Sequence, residues 1–376
     1  MQSELIVLSH LRWDWVWQRP QQLISRMSTN RRTWFVEEPL TPAGGHNGPN
    51  QLNSAHIDGL NRVWLEIPEQ GRHIGYFDQV LPDYIEQLPA FIGAPTGERV
   101  VWLYTPLALE VALALEPTTL VYDVMDDLAA FKDAAPELIV RQRQALREAD
   151  VVFAGGRSLH NSVIRQGRAD ALLFPSGVAP EHYHPARRKP RPQRTRPVAG
   201  YVGVIDERLD LNLIRDTAAL LPDWEIRIVG PVAKIDPQDL PQAPNITYPG
   251  HKTYAELPAV MAGLDVALMP FALNEATRSI SPTKTLEYLA AGLPVISTPI
   301  PDVITEFAPT VHVADNAEDV AAQCRQARRR HPSRQRDHNV RELLAKYHWD
   351  SIAAQMEASV FAAGVLPKPA HKEATA

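Results

Sequence analysis

Short runs of β-branched and other apolar residues alternate along the chain with segments of helical periodicity. This alternation predicts an α/β fold of parallel sheets covered by helices. In the first half, helical segments such as Pro136 to Ala149 separate the predicted strands. These strands are Leu5 to Ser9, Thr33 to Val36, Arg99 to Tyr104, Leu120 to Val124 and Val151 to Ala154. Residues 1–184 are therefore predicted to form one doubly wound domain.

A second series of the same kind predicts a second doubly wound domain in residues 198–346. Its predicted strands are Val198 to Val202, Glu225 to Val229, Asn245 to Tyr248, Val266 to Met269, Pro294 to Ser297 and Val311 to Val313. Between the domains, residues 185–197 contain four prolines and six basic residues in thirteen positions. We expect this segment neither to continue a helix nor to pack in a core, which predicts an interdomain linker. Its charge is interpreted as a solvated hinge, with contact to an anionic lipid surface as the alternative.

The composition is that of a folded chain, and it excludes some partners. The 376 residues are 45% hydrophobic and 22% charged, which suits two domains with sizeable cores. A net charge of -6 provides no global attraction to nucleic acid. The single cysteine, Cys324, can form neither an internal disulfide nor a cysteine metal cluster, and it suits a reducing compartment.

The ends of the chain and its longest apolar stretches bear on localisation. The first residues lack the basic segment of a secretory signal, and nowhere do about 18 apolar residues follow one another. We therefore expect a cytoplasmic protein without a membrane-spanning helix. Residues 367–376 are expected to form a frayed tail.

The common nucleotide-binding signatures are missing from this sequence. There is no G-x-x-x-x-G-K-S/T motif, and no G-x-G-x-x-G follows the first strand, where His10 to Asp14 stands instead. This disfavours kinases, P-loop ATPases and ordinary dehydrogenases.

The most informative segment is SISPTKTLEYLAAGLPVIST, from Ser279 to Thr298. Ser281 can cap a helix and Pro282 fits its first turn, beside Thr283. Lys284 stands where a glutamate or glutamine would complete a capping box, so a cation meets the positive end of the helix dipole. Such a placement costs about 0.3 to 1 kcal/mol unless an anion is bound there.

A bound diphosphate would remove this conflict, because free amides at the helix start and the Lys284 ammonium would both contact it. Glu287 lies one turn further on the same face, where its carboxylate could accept hydrogen bonds from ribose hydroxyls. The pair therefore fits a nucleoside diphosphate. The alternative is that Lys284 extends into solvent and Glu287 simply pairs with it.

The continuation of this segment, EYLAAGLPVI from Glu287 to Ile296, closely resembles the donor-binding segment of GT-B glycosyltransferases, particularly glycosyltransferase family 4. The resemblance extends to Gly200 to Gly203, Ile228 to Pro231, Asn245 to Gly250 and Leu264 to Pro270. The stretches His10 to Leu23, Phe35 to Pro39 and Tyr122 to Asp127 look like a subset found in bacterial surface-polysaccharide gene clusters.

This resemblance implies two Rossmann-like domains that face each other across a cleft, with residues 347–366 forming a helix that crosses back to the first domain. The second domain would bind the donor and the first the acceptor. The implied donor contacts, besides Lys284 and Glu287, are Gly203, Arg208, Gly230, Pro231, Gly250, His251, Arg278, Ser279, Ser281 and Thr283.

Two departures from the family pattern stand out. Ser279 occupies the position of the first of two glutamates that usually lie eight positions apart, so the usual carboxylate contact to the donor sugar is absent. The usual arginine and lysine pair after the first strand of the second domain is not clear either. Arg208 and Arg278 are the two candidates for the second cation.

Two carboxylates at predicted strand ends, Asp126 and Asp14, are candidates for the base that takes the proton of the acceptor hydroxyl. The alternative for Asp126 and its neighbour Asp127 is that one of them caps the following turn. A retaining enzyme could instead leave the proton to the departing phosphate. On the acceptor side, the sequence suggests His10, Trp13, Trp15 and Arg19, against ordinary burial of the tryptophans and a solvated Arg19.

The sequence thus predicts a glycosyltransferase that moves a sugar from a UDP- or GDP-sugar to a glycan or lipid-linked acceptor in surface polysaccharide synthesis. No metal and no cofactor are expected, because Lys284 and helix amides can neutralise the phosphates. We expect a cytoplasmic protein, with peripheral contact to the inner membrane face as an option. The alternatives are an epimerase of nucleotide sugars on the same fold and a non-catalytic nucleotide-sugar-binding partner, the latter favoured by Ser279.

Overall fold

Two β-sheets, each covered by helices, dominate the structure, which is a computed structural model. It describes residues 3–45, 48–68, 75–95, 97–127, 136–188, 196–280, 283–329 and 334–361. The first sheet has eight strands in the order β3-β4-β2-β1-β5-β6-β7-β8. These are β1 Glu4–Ser9, β2 Arg32–Glu37, β3 Gln51–Ile57, β4 Leu60–Glu66, β5 Arg99–Leu103, β6 Thr119–Val124, β7 Val151–Ala154 and β8 Leu172–Leu173.

The second sheet has six parallel strands in the order β11-β10-β9-β12-β13-β14, which is the doubly wound order with its switch point between β9 and β12. The strands are β9 Val198–Val202, β10 Glu225–Val229, β11 Ile246–Gly250, β12 Val266–Met269, β13 Val295–Ser297 and β14 His312–Val313. We call the first sheet with helices α1 to α5 the first unit, and the second sheet with helices α7 to α13 the second unit.

The helices of the first unit are α1 Arg19–Met27, α2 Leu81–Ile92, α3 Leu109–Ala114, α4 Pro136–Glu148 and α5 Arg157–Arg165. Those of the second are α7 Leu211–Leu220, α8 Leu257–Ala262, α9 Glu275–Arg278, α10 Thr283–Ala290, α11 Pro301–Phe307, α12 Ala317–Arg329 and α13 Arg334–Lys346. Two more, α6 Pro180–Arg188 and α14 Trp349–Phe361, connect the units. Among the described residues, every helix is too short or too polar to cross a bilayer.

Strand β1 shows how the first unit buries both faces of its sheet. Ile6 and Leu8 belong to one apolar cluster, whereas Leu5 and Val7 point into another on the opposite face. Successive strand residues face opposite sides, so a strand with no polar face must be covered on both. This explains why the parallel strands could be predicted from continuous apolar runs.

The chain passes between the units twice, before α6 and before α14, and the two crossings lie side by side. Val178 donates to the Tyr347 carbonyl at 2.9 Å and accepts from the Trp349 amide at 3.0 Å. Gly177 permits this approach, because a Cβ atom there would lie 2.5 Å from the Tyr347 oxygen. Helix α14 then packs Trp349 and Met356 into the core of the first unit, which confirms that a helix crosses back to it. Residues 362–376, which hold the predicted end of this helix and the predicted tail, lie outside the described residues.

The structure differs from the sequence prediction in the linker and in three additional strands, which are β3, β4 and the short β8. The hairpin of β3 and β4 was not predicted, and β3 pairs antiparallel at the edge of the sheet. Its residues are mostly exposed, so it lacks the continuous apolar run that marks the other strands. The linker prediction is wrong for residues 185–188, because α6 continues through Pro185 and buries Ala186. Residues 189–195 of the predicted linker lie outside the described residues.

Candidate active site

A cleft opens between the carboxyl ends of the two sheets and has a volume of about 870 Å³, including space open to solvent. Ligands of doubly wound folds bind at this edge. Its walls come from both units and from the start of α14. The lining residues are Val16, Trp17, Gln18, Arg19, Gln22, Met125, Asp126, Ser176, Tyr201, Val204, Arg208, Phe271, Ile280, Thr283, Lys284, Glu287 and Trp349.

Lys284 and Glu287 lie on the wall formed by the second unit. They project from the first two turns of α10, and Lys284 Nζ donates to Glu287 Oε2 at 3.1 Å. The Glu287 side chain is 9% exposed and that of Lys284 25%. The two side chains therefore pair with each other, as the simpler sequence interpretation has it, and they do so inside the cleft. The predicted cap residues Ser281 and Pro282 lie outside the described residues.

Three glycines bring bare backbone to the carboxyl ends of β9, β10 and β11. The Gly203 amide donates to Val229 O at 2.9 Å, and the Gly230 amide donates to Gly250 O at 3.1 Å. Gly230 has a φ of +149°, and a Cβ atom there would lie 1.8 Å from Gly203 O. A Cβ atom on Gly203 would approach the Lys284 stem to 3.0 Å. The loops at Gly203 and Gly230 thus pack closely together beside Lys284 and leave no room for larger side chains, whereas the Cβ position of Gly250 is open.

The remaining predicted donor residues do not all reach the cleft. Arg208 lines it and binds Asp206 with two nitrogens, at 2.9 and 2.7 Å. Arg278 lies outside the lining, 72% exposed and paired with Glu275 at 3.2 Å. His251 is exposed and Ser279 ends α9, and neither lines the cleft. Of the two candidate second cations, the structure therefore brings only Arg208 to the cleft.

Asp126 faces this cationic wall from the first unit, two residues beyond β6. Burial raises the pKa of Asp126, while the positive charges of Arg208 and Lys234 act in the opposite direction. Asp127 also has a raised pKa because of burial and the charge of Glu275. Asp126 is thus a carboxyl group in the cleft whose proton is held more tightly than usual.

Lys234 was not predicted from the sequence. It follows a loop that is pinned to Ile205 by two hydrogen bonds of 2.9 Å, from Ile205 N to Pro231 O and from Ala233 N to Ile205 O. Its φ of +61° is unusual for a residue with a side chain. Nothing local in the sequence marks this lysine, because its proximity to Asp126 depends on the packing of one unit against the other.

The structure places Asp14 away from the cleft lining. Its side chain is 54% exposed, and Asp14 Oδ2 accepts from Arg62 Nη1 at 2.6 Å. Arg62 also binds the buried Glu37, with Nε to Oε1 at 2.7 Å. This network draws Asp14 toward β4, so its position does not support a role as the catalytic base.

Two predicted acceptor residues have structural partners instead. The Arg19 guanidinium is buried and donates to Asp123 Oδ2 and Oδ1, each at 2.9 Å, and to the Phe174 carbonyl at 2.8 Å. Trp13 is buried and donates from Nε1 to Asp58 Oδ2 at 2.9 Å. Arg19 also lines the cleft, but its guanidinium is engaged by Asp123 and Phe174, so contact with an acceptor phosphate stays a prediction that these bonds do not favour.

The other two acceptor candidates, Trp15 and His10, follow β1 and are not among the residues that line the cleft. Trp15 is 41% exposed. His10 follows β1, and burial, assisted by the charge of Lys234, lowers the pKa of His10 to about 4. Its Nδ1 atom is buried and has no hydrogen-bond partner among the residues that the structure describes. At neutral pH His10 is therefore an uncharged imidazole.

In the described part of the chain, no group of three His, Cys, Asp or Glu residues could hold a metal ion. Metal independence stays a prediction.

Solved structures with this arrangement of two facing units are GT-B glycosyltransferases. Sucrose-phosphate synthase from Thermosynechococcus elongatus is 17% identical with a TM-score of 0.65, covering 95% of this chain and 97% of that one. The Anabaena protein Alr3699/HepE, in complex with UDP and glucose, is 12% identical with a TM-score of 0.63, covering 94% and 98%. The fold of this chain is therefore GT-B.

Sequence comparison is more specific for the second unit. Residues 196–329, which span most of the second unit, match the family described as "Glycosyl transferases group 1". A relative from Bacillus subtilis (strain 168), "Putative teichuronic acid biosynthesis glycosyltransferase TuaH", is 29% identical over 192 residues. This match covers 48% of this chain and 48% of the relative, so it spans about half the length of that protein.

Proposed function

We propose that this protein is a glycosyltransferase that moves a sugar from a nucleoside diphosphate sugar to a glycan or lipid-linked acceptor. The observation that carries the proposal is that cationic side chains on one wall of the cleft face a carboxyl group on the other. Lys284, Glu287 and Arg208 line the wall of the second unit, and Asp126 lines the wall of the first. The group 1 domain in residues 196–329 supports the assignment of the donor to the second unit.

The cations of the second unit match the charge that develops on a departing diphosphate. In the proposed complex, Lys284 turns from Glu287 to the phosphates, and Arg208 adds a second positive charge. Such preorganised donors stabilise a leaving group most effectively where water is excluded. Glu287, released from Lys284, can accept from the ribose hydroxyls. No metal or cofactor is needed for this step, since two side chains supply the positive charge.

Asp126 is the proposed base that receives the proton of the acceptor hydroxyl. Burial raises the pKa of Asp126, which moves it toward the range in which a general base works well at neutral pH. This assignment goes with inversion at the sugar carbon. A retaining reaction, in which the departing phosphate takes the proton, remains the alternative and would leave Asp126 to orient the acceptor.

The acceptor side is proposed on the first unit, around Trp15 and His10. The name of the Bacillus subtilis relative supports an acceptor from cell-surface polysaccharide synthesis. The Anabaena protein, whose structure is a complex with UDP and glucose, supports a UDP-sugar as the first donor to test, with GDP-sugars as the next. We place the reaction in the cytoplasm, with peripheral contact to the inner face of the membrane if the acceptor is a lipid.

A thermal-shift screen with UDP, GDP and ADP, followed by their sugars, tests the donor assignment. A ligand that binds only the native protein raises its melting temperature. We expect one diphosphate and its sugars to stabilise the protein, followed by hydrolysis or transfer of that sugar when acceptors are added. The absence of stabilisation by every nucleotide would contradict the proposal.

A non-catalytic nucleotide-sugar-binding partner is the second candidate function. It is favoured by Ser279, which stands where the family usually has a carboxylate for the donor sugar. Such a protein would bind the nucleotide sugar and neither hydrolyse nor transfer it. Interconversion of free nucleotide sugars would instead identify an epimerase.

A further inference from the structure

A continuous series of ring contacts leads from the core of the first unit into the second. Phe35 in β2 contacts Trp13 at 4.9 Å, and Trp13 contacts Trp17 at 5.7 Å, both edge to face. Trp17 stacks on Tyr254 at 5.4 Å with an interplanar angle of 18°. Tyr254 in turn stacks on His182 at 3.8 Å and 4°. The contact between Trp17 and Tyr254 is the step that crosses from one unit to the other.

The Tyr254 ring is held on both faces. His182 of α6 covers one face, and its Nε2 lies 2.9 Å from the Tyr254 carbonyl oxygen. Trp17 covers the other face. Burial raises the pKa of Tyr254 to about 12, so the phenol stays neutral over the physiological range. Tyr254 therefore presents a neutral ring from the second unit, and its hydroxyl interacts with the Gln22 side chain of α1.

Trp17 depends on this ring for its position. Its indole nitrogen is buried and makes no hydrogen bond within the described part of the chain, so Trp17 is held by ring contacts with Trp13 and Tyr254. The earlier part of the same loop is fastened differently, since the Trp13 amide donates to Glu37 Oε1 at 2.8 Å. Residues 14–17 thus lie between Trp13, which is bound to Glu37 of the first unit, and the Tyr254 ring of the second unit.

This contact adjoins both sides of the cleft. Trp17 lines the cleft together with Glu287. Tyr183, the neighbour of His182, lies close enough to Glu287 for that carboxylate to contribute to its raised pKa. Helix α6 therefore places Tyr183 near Glu287 on the wall of the second unit, and it stacks the neighbouring His182 on Tyr254.

We propose that Tyr254 is a positioning residue for the acceptor: its ring, fixed by His182, holds Trp17 and residues 14–18 in the conformation that receives the acceptor. The proposal rests on the proposed function only in assigning this loop to the acceptor. Because Tyr254 belongs to the donor-binding unit, the two units must be docked for the loop to be set. The fold thereby couples docking of the units to the acceptor site.

Two substitutions at one position test this role. Tyr254→Leu removes the ring and keeps an apolar side chain, whereas Tyr254→Phe keeps the ring and removes only the hydroxyl. In the full-length protein, we expect amide hydrogen exchange in residues 14–18 to accelerate by up to roughly tenfold in the leucine variant, given what aromatic pairs contribute. The phenylalanine variant should exchange like the parent, and UDP affinity measured by calorimetry should stay within about twofold in both.

The steady-state readout separates positioning from general damage. In transfer assays the leucine variant should raise the acceptor KM by roughly tenfold with an unchanged donor KM, and phenylalanine should restore the parent value. Unchanged exchange in the leucine variant, or a phenylalanine variant that behaves like leucine, would overturn the proposal. If the leucine variant does not fold, Trp17→Leu removes the same contact from the other side and should give the same exchange pattern. If the parent transfers no sugar, the proposed function fails, and the exchange experiment still decides the ring contact.

Discussion

Lys284 Nζ lies 3.1 Å from Glu287 Oε2 on the wall of the cleft that faces Asp126. An isolated pair at this spacing on a helix surface contributes only about 0.2 to 0.5 kcal/mol. Here the carboxylate is almost completely buried, and the pair stands beside the glycine-lined strand ends of the second sheet. Glu287 therefore holds Lys284 next to the place where we propose that the diphosphate binds.

Lys284→Ala tests the donor site directly. We expect nucleoside diphosphate affinity to fall by at least about 1.5 kcal/mol, because hydrogen bonds to charged groups contribute about 1.5 to 3 kcal/mol. Isothermal titration calorimetry with the best nucleotide measures this loss. Lys346→Ala is the matched control, since that ammonium lies over the Tyr347 ring outside the cleft. Equal affinities in the parent and the Lys284 variant would reject the assignment.

Asp126→Asn should lower turnover by about 100-fold or more if Asp126 is the general base, with little change in donor affinity. Because burial raises the pKa of Asp126, the rate of the parent should rise with pH through a limb that lies above the ordinary carboxyl range. That limb should be missing in the variant. Asp14→Asn serves as the comparison, and a larger loss there than in Asp126→Asn would restore Asp14 as the base.

The same carboxyl group has a consequence for stability. The pKa of Asp126 is higher in the folded than in the unfolded chain, so ionisation above the folded pKa destabilises the native state. Asp126→Asn should therefore raise the melting temperature near neutral pH. The difference should vanish below the unfolded pKa, where both side chains are neutral. Differential scanning calorimetry across pH measures it, and a variant that is less stable at neutral pH would contradict the expectation.

Gly230→Ala should destabilise the second unit strongly. The residue has a φ of +149°, and a Cβ atom there would lie 1.8 Å from Gly203 O, so the two loops would have to separate. We expect a loss of at least about 3 kcal/mol in chemical denaturation. Gly250→Ala is the control, because Gly250 has a φ of +76° but open space around its Cβ position. It should lose only about 1 to 2 kcal/mol, and equal losses would show that the close approach does not matter.

Arg19→Met should destabilise the first unit by about 3 to 5 kcal/mol, because it leaves the buried Asp123 carboxylate unpaired. Adding Asp123→Leu should recover most of this loss, since both charges are then removed. Urea denaturation of the two variants measures the difference. A single variant that keeps its stability but loses acceptor binding would return Arg19 to the role that the sequence suggested.

The second unit illustrates how far sequence reasoning could go. Three of its six strands were placed with the exact bounds and the other three within one or two residues, because buried parallel strands are continuous apolar runs. Lys284 and Glu287 could be recognised together because helix geometry alone brings residues three apart to one face. Ser281, on which the capping argument rested, lies outside the described residues.

The first unit illustrates where such reasoning fails. Arg19 meets Asp123 across 104 residues of sequence, and Asp14 meets Arg62 because a mostly exposed hairpin forms the edge of the sheet. No local pattern encodes these partners. Asp14 was predicted as a base from its position after a strand and Arg19 as an acceptor contact from its place before Pro20, and in each case the sequence offered no sign of the competing ion pair.

The sequence by itself determined the α/β class, the two doubly wound units and the pairing of Lys284 with Glu287, since each depends on periodicity or on spacing within one element. Only the tertiary structure decided that Arg208 rather than Arg278 enters the cleft, that Lys234 approaches Asp126, and that Tyr254 supports Trp17. Those relationships depend on how strand ends and loops from two separate units dock together. Docking is set by long-range packing and charge pairing, which no single segment of the chain records.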